Sequence, residues 1–156
     1  MSDADLWTFA LQCWKRPGVE KTALGLQDRW QLSVCLLLTG LWLGRRGVQA
    51  NPDLASRLRE AAVTWEGERI RSLRTMRRLA STRADWADWK RILQEAELEA
   101  ERLLLAELQA LITEFPLASD AASSVDGWLL LLVPDMASCE ELAQGLAALR
   151  DACGEC

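Results

Sequence analysis

The stretch Trp30–Gly47 constrains the fold more than any other part of the sequence. Residues 34–43 are almost all apolar, so a helix formed from them has no polar face to present to water. Such a helix has to lie at the centre of the molecule. Cys35 and Gly40 are small enough to let neighbouring helices approach. Trp42 has a large apolar side chain, which those helices must cover. The apolar run is about half of the ~20 residues that a membrane-spanning helix needs, so we expect no membrane span.

Helical periodicity dominates the rest of the sequence, and no segment alternates apolar and polar residues as a half-buried strand does. A chain of 156 residues is long enough to bury a core without a metal ion. The sequence therefore predicts an all-α, single-domain bundle of six or seven helices around a central helix at residues 34–46, with no β-sheet. Residues 1–115 are expected to form the main core, 116–124 a linker, and 125–152 a C-terminal helical hairpin.

Local signals mark the ends of the central helices. Ser33 is positioned to cap the central helix, and Asn51 followed by Pro52 is a strong start for the next one. In that next helix the apolar stripe slips by about one residue at Gly67. This slip predicts a kink or a break near Gly67.

The chain contains no His, which removes the commonest general base and the usual zinc ligand. No other catalytic constellation stands out, so the sequence argues against an enzyme without excluding one, and we predict no cofactor and no metal. Asp3 and Asp5 lie where a secretory signal peptide carries basic residues, which favours a cytoplasmic protein. In that compartment the five irregularly spaced cysteines are expected to be reduced thiols.

Two short motifs could bind metal ions, but both signals are weak. Cys153 and Cys156 could hold zinc together with Cys139, yet no second Cys pair accompanies them. Asp85 and Asp88 lie one helical turn apart and could hold Mg²⁺ over a diphosphate, although no second acidic motif faces them. The simpler interpretation is that these two carboxylates stabilise the start of a long helix.

Tryptophan is unusually frequent, with eight residues against no Tyr. Because an indole N–H needs a partner, several of these rings are expected at the core boundary. They could line a pocket for an apolar ligand, although at helical spacing such residues are more typical of a core. The candidates are Trp7, Trp14, Trp42, Trp65, Trp86, Trp89 and Trp128.

The charges are distributed unevenly along the chain. Residues 52–84 carry eight basic and four acidic side chains, whereas residues 85–115 carry three basic and eight acidic ones. On an ideal helix Arg71, Arg74 and Arg78 lie within about 60° of one another, away from the apolar stripe, and predict an exposed basic ridge.

One interpretation is that this ridge binds a phosphate or an acidic protein partner. The simpler alternative is that Asp85 and Asp88 of the following helix neutralise it within the fold. A chain with a net charge of −5, no Tyr and no nucleic-acid motif does not favour nucleic acid as the partner.

A predicted helix from residue 84 to residue 114 becomes apolar on two sides in its second half. Leu98, Leu105 and Ile112 repeat every seven residues on roughly the opposite side from the main apolar face. Either the C-terminal segment or a second copy of the chain packs there. Self-association through these three residues is therefore a further hypothesis.

Several segments of the first half carry a resemblance to a known family. They are Leu6–Trp7–x–Phe9–Ala10–Leu11, Pro17–Gly18–Val19, Leu26–Gln27–Asp28, Val34–x–Leu36–Leu37–Leu38 and Leu41–Trp42–Leu43–Gly44–x–Arg46–Gly47. With these segments the chain resembles a family of small proteobacterial proteins catalogued as a domain of unknown function. The resemblance implies an all-helical, cytoplasmic bacterial protein and brings no activity from which catalytic residues could be transferred.

Within those segments, Gln27 and Asp28 precede the central helix and Arg45 and Arg46 end it. Capping and turn formation account for Asp28, whereas core packing does not require Gln27 or Arg46. Gln27 and Asp28 are therefore candidates for a polar site.

We expect an intracellular protein that acts by binding an unknown protein partner rather than by catalysis. The expected binding surface combines Arg45 and Arg46 with the ridge of Arg71, Arg74 and Arg78, and charge reversal of the ridge is expected to leave stability nearly unchanged. The alternative is a small enzyme or carrier for an apolar or phosphorylated ligand that uses the Trp-rich core.

Overall fold

A computed structural model of the chain describes residues 5–119 and 125–154. Within these ranges the all-α fold is confirmed, and no strand is present apart from a single bridge between Val48 and Ser119. No helix of the described ranges is both long enough and apolar enough to cross a membrane. The helices are α1 (Leu6–Trp14), α2 (Val19–Trp30), α3 (Val34–Arg45), α4 (Pro52–Trp65), α5 (Arg71–Ala80), α6 (Ala87–Glu114), α7 (Val125–Leu132) and α8 (Glu140–Cys153).

A π-helical turn, Glu66–Ile70, joins α4 to α5 as one continuous helix, so the described residues form seven helical rods. The irregularity expected near Gly67 is confirmed. In a π-turn each hydrogen bond spans five residues rather than four, so one extra residue enters the helix. The side chains of α5 are consequently rotated about the helix axis, compared with where a regular α-helix continuing α4 would place them.

The central position of α3 is confirmed, because every residue from Cys35 to Gly44 is buried. The Ser33 side chain accepts a hydrogen bond from the Leu36 N–H at 3.3 Å, as expected of its N-cap. Asn51 accepts N–H bonds from Asp53 and Leu54 at the start of α4. The predicted caps of both helices are therefore present.

Small residues on α3 let α7 pack directly against it. A Cβ atom added at Gly40 would lie 2.9 Å from a methyl group of Leu132, and one at Gly44 would lie 2.5 Å from the Val125 Cα atom. The Trp128 indole of α7 is fully buried and donates to the Val48 carbonyl oxygen at 2.8 Å. The expectation that Gly40 admits a neighbouring helix is confirmed, and Gly44 is a closer approach that was not expected.

The C-terminal helices belong to the same core as the N-terminal ones. α8 packs against α2, and its inward residues Leu142, Leu146 and Leu149 are buried as their spacing suggests. Residues 120–124 of the predicted linker lie outside the described residues, while residues 116–119 run past the end of α3, where the Gln49 N–H donates to the Ala118 carbonyl at 2.8 Å.

The expectation of reduced thiols is wrong for two cysteines. Cys13 of α1 and Cys153 of α8 form a disulfide, with their Cα atoms 5.6 Å apart. Cys35 is buried as a free thiol and Cys139 is a half-buried one, while Cys156 lies outside the described residues. Disulfides are typical of oxidising compartments, so the cytoplasmic location stays a prediction.

Candidate functional site

A cavity of about 160 Å³ lies between α1, α2, α3 and α6. An apolar cavity of roughly 150 Å³ in another protein is large enough to hold benzene. Trp7 and Trp14 of α1 line one side of it. Leu11, Leu24 and Leu98 also line it and are partly exposed, Leu98 at 51%, so the cavity opens to solvent between three leucines.

A network of charged side chains borders the cavity where α5 packs on α6. Glu97 of α6 accepts hydrogen bonds from the Nε atoms of Arg74 at 3.2 Å and of Arg77 at 2.5 Å. Arg74 also lies 3.6 Å from the carboxylate of Glu66 in the π-turn. The Arg74 and Glu97 side chains are only 13% and 11% exposed, so this is a largely buried ion network.

Glu101 lies one helical turn beyond Glu97 and also lines the cavity. Its carboxylate makes no hydrogen bond or ion pair with the described residues, and its backbone carbonyl accepts the Cys35 S–H at 3.8 Å. Burial raises the pKa of Glu101 to about 7, reinforced by the negative charges of Glu97 and Glu66. Arg74 and Arg77 counteract that rise only in part.

The same burial acts on two neighbours of Glu101. It raises the pKa of Glu66, against the opposing effects of Arg74 and of a hydrogen bond from Ser33. It raises the pKa of the Cys35 thiol well above its usual value, and the charges of Glu101 and Glu66 add to the effect. Cys35 is therefore a neutral thiol at physiological pH and not an activated nucleophile.

A second cavity, polar and about 460 Å³, lies beside the first. Gln27 lines both of them, and Asp28, Arg71, Arg74 and Arg78 line the second. Asp28 accepts a hydrogen bond from Arg78 at 3.2 Å. The fold thus brings the predicted polar site, Gln27 and Asp28, together with the arginines of the predicted ridge, although the two are more than 40 positions apart in the sequence.

Arg45 and Arg46 do not join this site. They are at the C-terminal end of α3, whereas the polar cavity includes residues just before its N-terminal end. A helix of twelve residues is about 18 Å long. The guanidinium of Arg46 lies 4.5 Å from the centre of the Trp42 ring, and that of Arg45 lies 5.9 Å from the centre of Phe9. The five arginines of the predicted binding surface are therefore divided between the two ends of α3, and their role in partner binding stays a prediction.

The predicted exposed ridge is wrong in one of its three members. Arg71 and Arg78 are exposed, but Arg74 points into the interface with α6, while the apolar side chain of Met76 is 43% exposed. The physical reason is the π-turn, because its extra residue rotates the side chains of α5 about the helix axis. They point in other directions than a regular continuation of α4 would give them. Asp85, proposed as a partner of the ridge, pairs with Arg83 at 2.6 Å instead.

The structure also overturns the proposed self-association surface. Leu105 and Ile112 are buried in the core of their own chain, and only Leu98 is exposed. The second apolar face of α6 is covered by α1, whose Leu6 N–H donates to the Gln109 side chain at 3.0 Å. Neither the C-terminal segment nor a second copy of the chain is needed to cover this face.

Glu97 and Glu101 were missed by the sequence reasoning, although a signal was present. Glu97 shares a helical face with Leu93, Ala100 and Leu104, all of them buried. A carboxylate on an apolar face needs a partner, so it predicts either a buried ion pair or a ligand. Among the described residues, no group of three or more acidic, Cys or His side chains could hold a metal ion.

The fold and the site define an all-α, single-domain protein with a small apolar cavity bordered by a buried ion network. The chain belongs to the family described as Protein of unknown function (DUF2390), whose model matches residues 5–108. Every residue that lines the apolar cavity falls within the match. No curated protein and no solved structure is significantly similar to the chain. The predicted family is confirmed, while the proteobacterial origin stays a prediction.

Proposed function

We propose that the protein binds a small apolar ligand, without catalysis, in the cavity between α1, α2, α3 and α6. The supporting observation is the cavity itself. Well-packed cores contain few voids larger than a water molecule, and one water occupies only about 10–15 Å³ by the same kind of measure. A volume of about 160 Å³ with two indole walls is therefore space for a ring or a branched aliphatic group.

The mouth of the cavity supports this proposal. Leu11, Leu24 and Leu98 come from three different helices and are all partly exposed. A ligand can therefore enter without unfolding the core. It would replace water against these leucines and fill space that the side chains leave open, which are the usual sources of affinity for apolar ligands.

Titration with benzyl alcohol, followed by tryptophan fluorescence and calorimetry, tests the proposal. We expect saturable binding at one site per chain. Leu98→Asn should weaken it about tenfold, equivalent to about 1.4 kcal/mol, because it makes the mouth polar. The matched control is Leu103→Asn, since Leu103 lies on the same helix, is 42% exposed and does not line the cavity.

Two outcomes would contradict ligand binding in this cavity. One is the absence of saturable binding by benzyl alcohol and by other neutral compounds of benzene size. The other is equal weakening by Leu98→Asn and Leu103→Asn, which would place the binding elsewhere. Both positions are exposed, so each variant is expected to fold with little loss of stability.

Protein binding through the polar cavity is a second candidate function, favoured by the position of two arginines. Arg71 and Arg78 are exposed at its edge beside Gln27 and Asp28. Arg71 makes no hydrogen bond or ion pair with the described residues. Its guanidinium is therefore available to an acidic side chain of a partner.

Charge reversal separates this candidate from the first. Capture of a stoichiometric partner from a cell extract should be lost with the double variant Arg71→Glu, Arg78→Glu, and also at about 0.5 M salt. The double variant Arg91→Glu, Arg102→Glu changes net charge equally at exposed positions of α6 and should retain the partner. Retention of the partner by both double variants would exclude the polar cavity as the binding surface.

A further inference from the structure

The three carboxylates beside the apolar cavity are unevenly paired. Glu66, Glu97 and Glu101 lie close enough to influence one another, and Arg71, Arg74 and Arg77 supply positive charge near them. Arg74 and Arg77 hydrogen-bond to Glu97, and Arg74 also pairs with Glu66. Among the described residues none pairs with the Glu101 carboxylate, which lines the cavity.

The aromatic part of the cavity lining suits a cation. Trp7 and Trp14 line the same cavity as Glu101, and indole faces attract ammonium groups through their negative π-surface. An anion would instead meet the carboxylates of Glu97 and Glu101, and Arg77, the guanidinium that lines this cavity, is already paired with Glu97.

We infer that the ligand of this cavity is a small primary amine with an apolar body, whose ammonium group pairs with Glu101 while the apolar body lies against Trp7 and Trp14. The inference rests on the proposed function and adds the charge of the ligand to it. An ammonium group supplies an ion pair and donates hydrogen bonds to a carboxylate that lacks a donor. The apolar body occupies the volume that the leucines and indoles enclose.

The groups that face Glu101 determine how binding depends on pH. They are Glu97 on the same helix, Glu66 in the π-turn, Arg74 and Arg77 on α5, and the neutral Cys35 thiol on α3. The side chains that α1 and α2 contribute to the cavity do not titrate. Because the carboxyl of Glu101 has a pKa of about 7, at acidic pH it must lose a proton before it can pair with the amine.

Benzylamine and benzyl alcohol are a matched pair of probes, since the ammonium group replaces a neutral hydroxyl on the same ring. At pH 8 we expect benzylamine to bind at least tenfold more tightly than benzyl alcohol. Its affinity should fall by up to about tenfold for each pH unit below the pKa of Glu101 until it approaches that of benzyl alcohol, whose affinity should change little.

Glu101→Gln should remove the preference for benzylamine over benzyl alcohol. It should also remove the pH dependence of benzylamine binding, while leaving the binding of benzyl alcohol intact. Removal of an unpaired buried charge is expected to raise the melting temperature at pH 8, so this variant should fold. The control is Glu99→Gln, since Glu99 is exposed on the same helix, pairs with Arg102 and should keep both properties.

The outcomes distinguish this inference from the function on which it rests. Equal affinities of the two probes at pH 8 would overturn the amine ligand and leave apolar binding standing. Persistence of the pH dependence in Glu101→Gln would also overturn it, since Glu66 or another group would then be titrating. Failure of both probes to bind would contradict the cavity as a binding site altogether.

Discussion

Replacement of Arg74 by Met should destabilise the protein by about 3–5 kcal/mol at pH 7. Arg74 is largely buried and pairs with both Glu66 and Glu97. Met keeps most of the side-chain volume but removes the charge, which leaves the Glu66 carboxylate without its ion pair and Glu97 with Arg77 alone. For a chain of this size that loss corresponds to a fall in melting temperature of roughly 6–20 °C, measurable by calorimetry or circular dichroism.

Arg78→Met provides the matched control for this experiment. Arg78 is on the same helix and pairs with Asp28, but the two side chains are 61% and 64% exposed. Exposed ion pairs contribute about 0–1 kcal/mol, so its melting temperature should shift by only a few degrees. Equally small shifts for both variants would show that Arg74 lies on an exposed ridge, as its sequence pattern first indicated.

Reduction of the disulfide between Cys13 and Cys153 should lower the free energy of unfolding by up to about 5 kcal/mol. The two residues are 140 positions apart, so the cross-link constrains nearly the whole unfolded chain. In the chain-entropy account, the stabilisation increases with the logarithm of the loop length. Urea unfolding of the oxidised and reduced protein, and of the double variant Cys13→Ala, Cys153→Ala, measures the effect.

A second observation tests the cross-link independently of stability. Mass spectrometry of the proteolysed, unreduced protein should find the peptides that contain Cys13 and Cys153 joined together. Cys139→Ala serves as the control, since Cys139 is a half-buried free thiol and its loss should leave both the joined peptides and their effect on stability in place. Identical unfolding curves with and without reductant, together with separate peptides, would contradict the disulfide.

The parts of the fold that could be predicted are those that local chemistry determines. The burial of α3 follows from a run of residues with no polar face, and Ser33, Asn51 and Pro52 mark helix starts through bonds to their nearest neighbours. The π-turn also has a local signal in the sequence, because the spacing of the apolar residues shifts by about one position at Gly67. Each of these signals lies within a few residues of the feature that it predicts.

The wrong predictions concern features that depend on contacts between segments far apart in the sequence. α1 rather than another subunit covers the second face of α6, which no pattern within α6 could indicate. Cys13 and Cys153 meet because α1 and α8 both pack beside α2, so their spacing in sequence carries no signal. Gln27 and Asp28 were identified as a polar site, but their association with Arg71 and Arg78 depends on the packing of α2 near α5.

The π-turn Glu66–Ile70 determines which side chains of α5 face Glu97, whatever the identity of those side chains. The turn holds one residue more than a regular helix would need at this point. If the same residues formed a regular α-helix, every side chain after the turn would be rotated by about 100°, and Arg74 and Arg77 would turn away from Glu97. The carboxylates beside the cavity would then lose their counter-charges although every side chain in the network was unchanged. Deletion of one residue within the turn would instead leave a regular helix that keeps both arginines directed at Glu97.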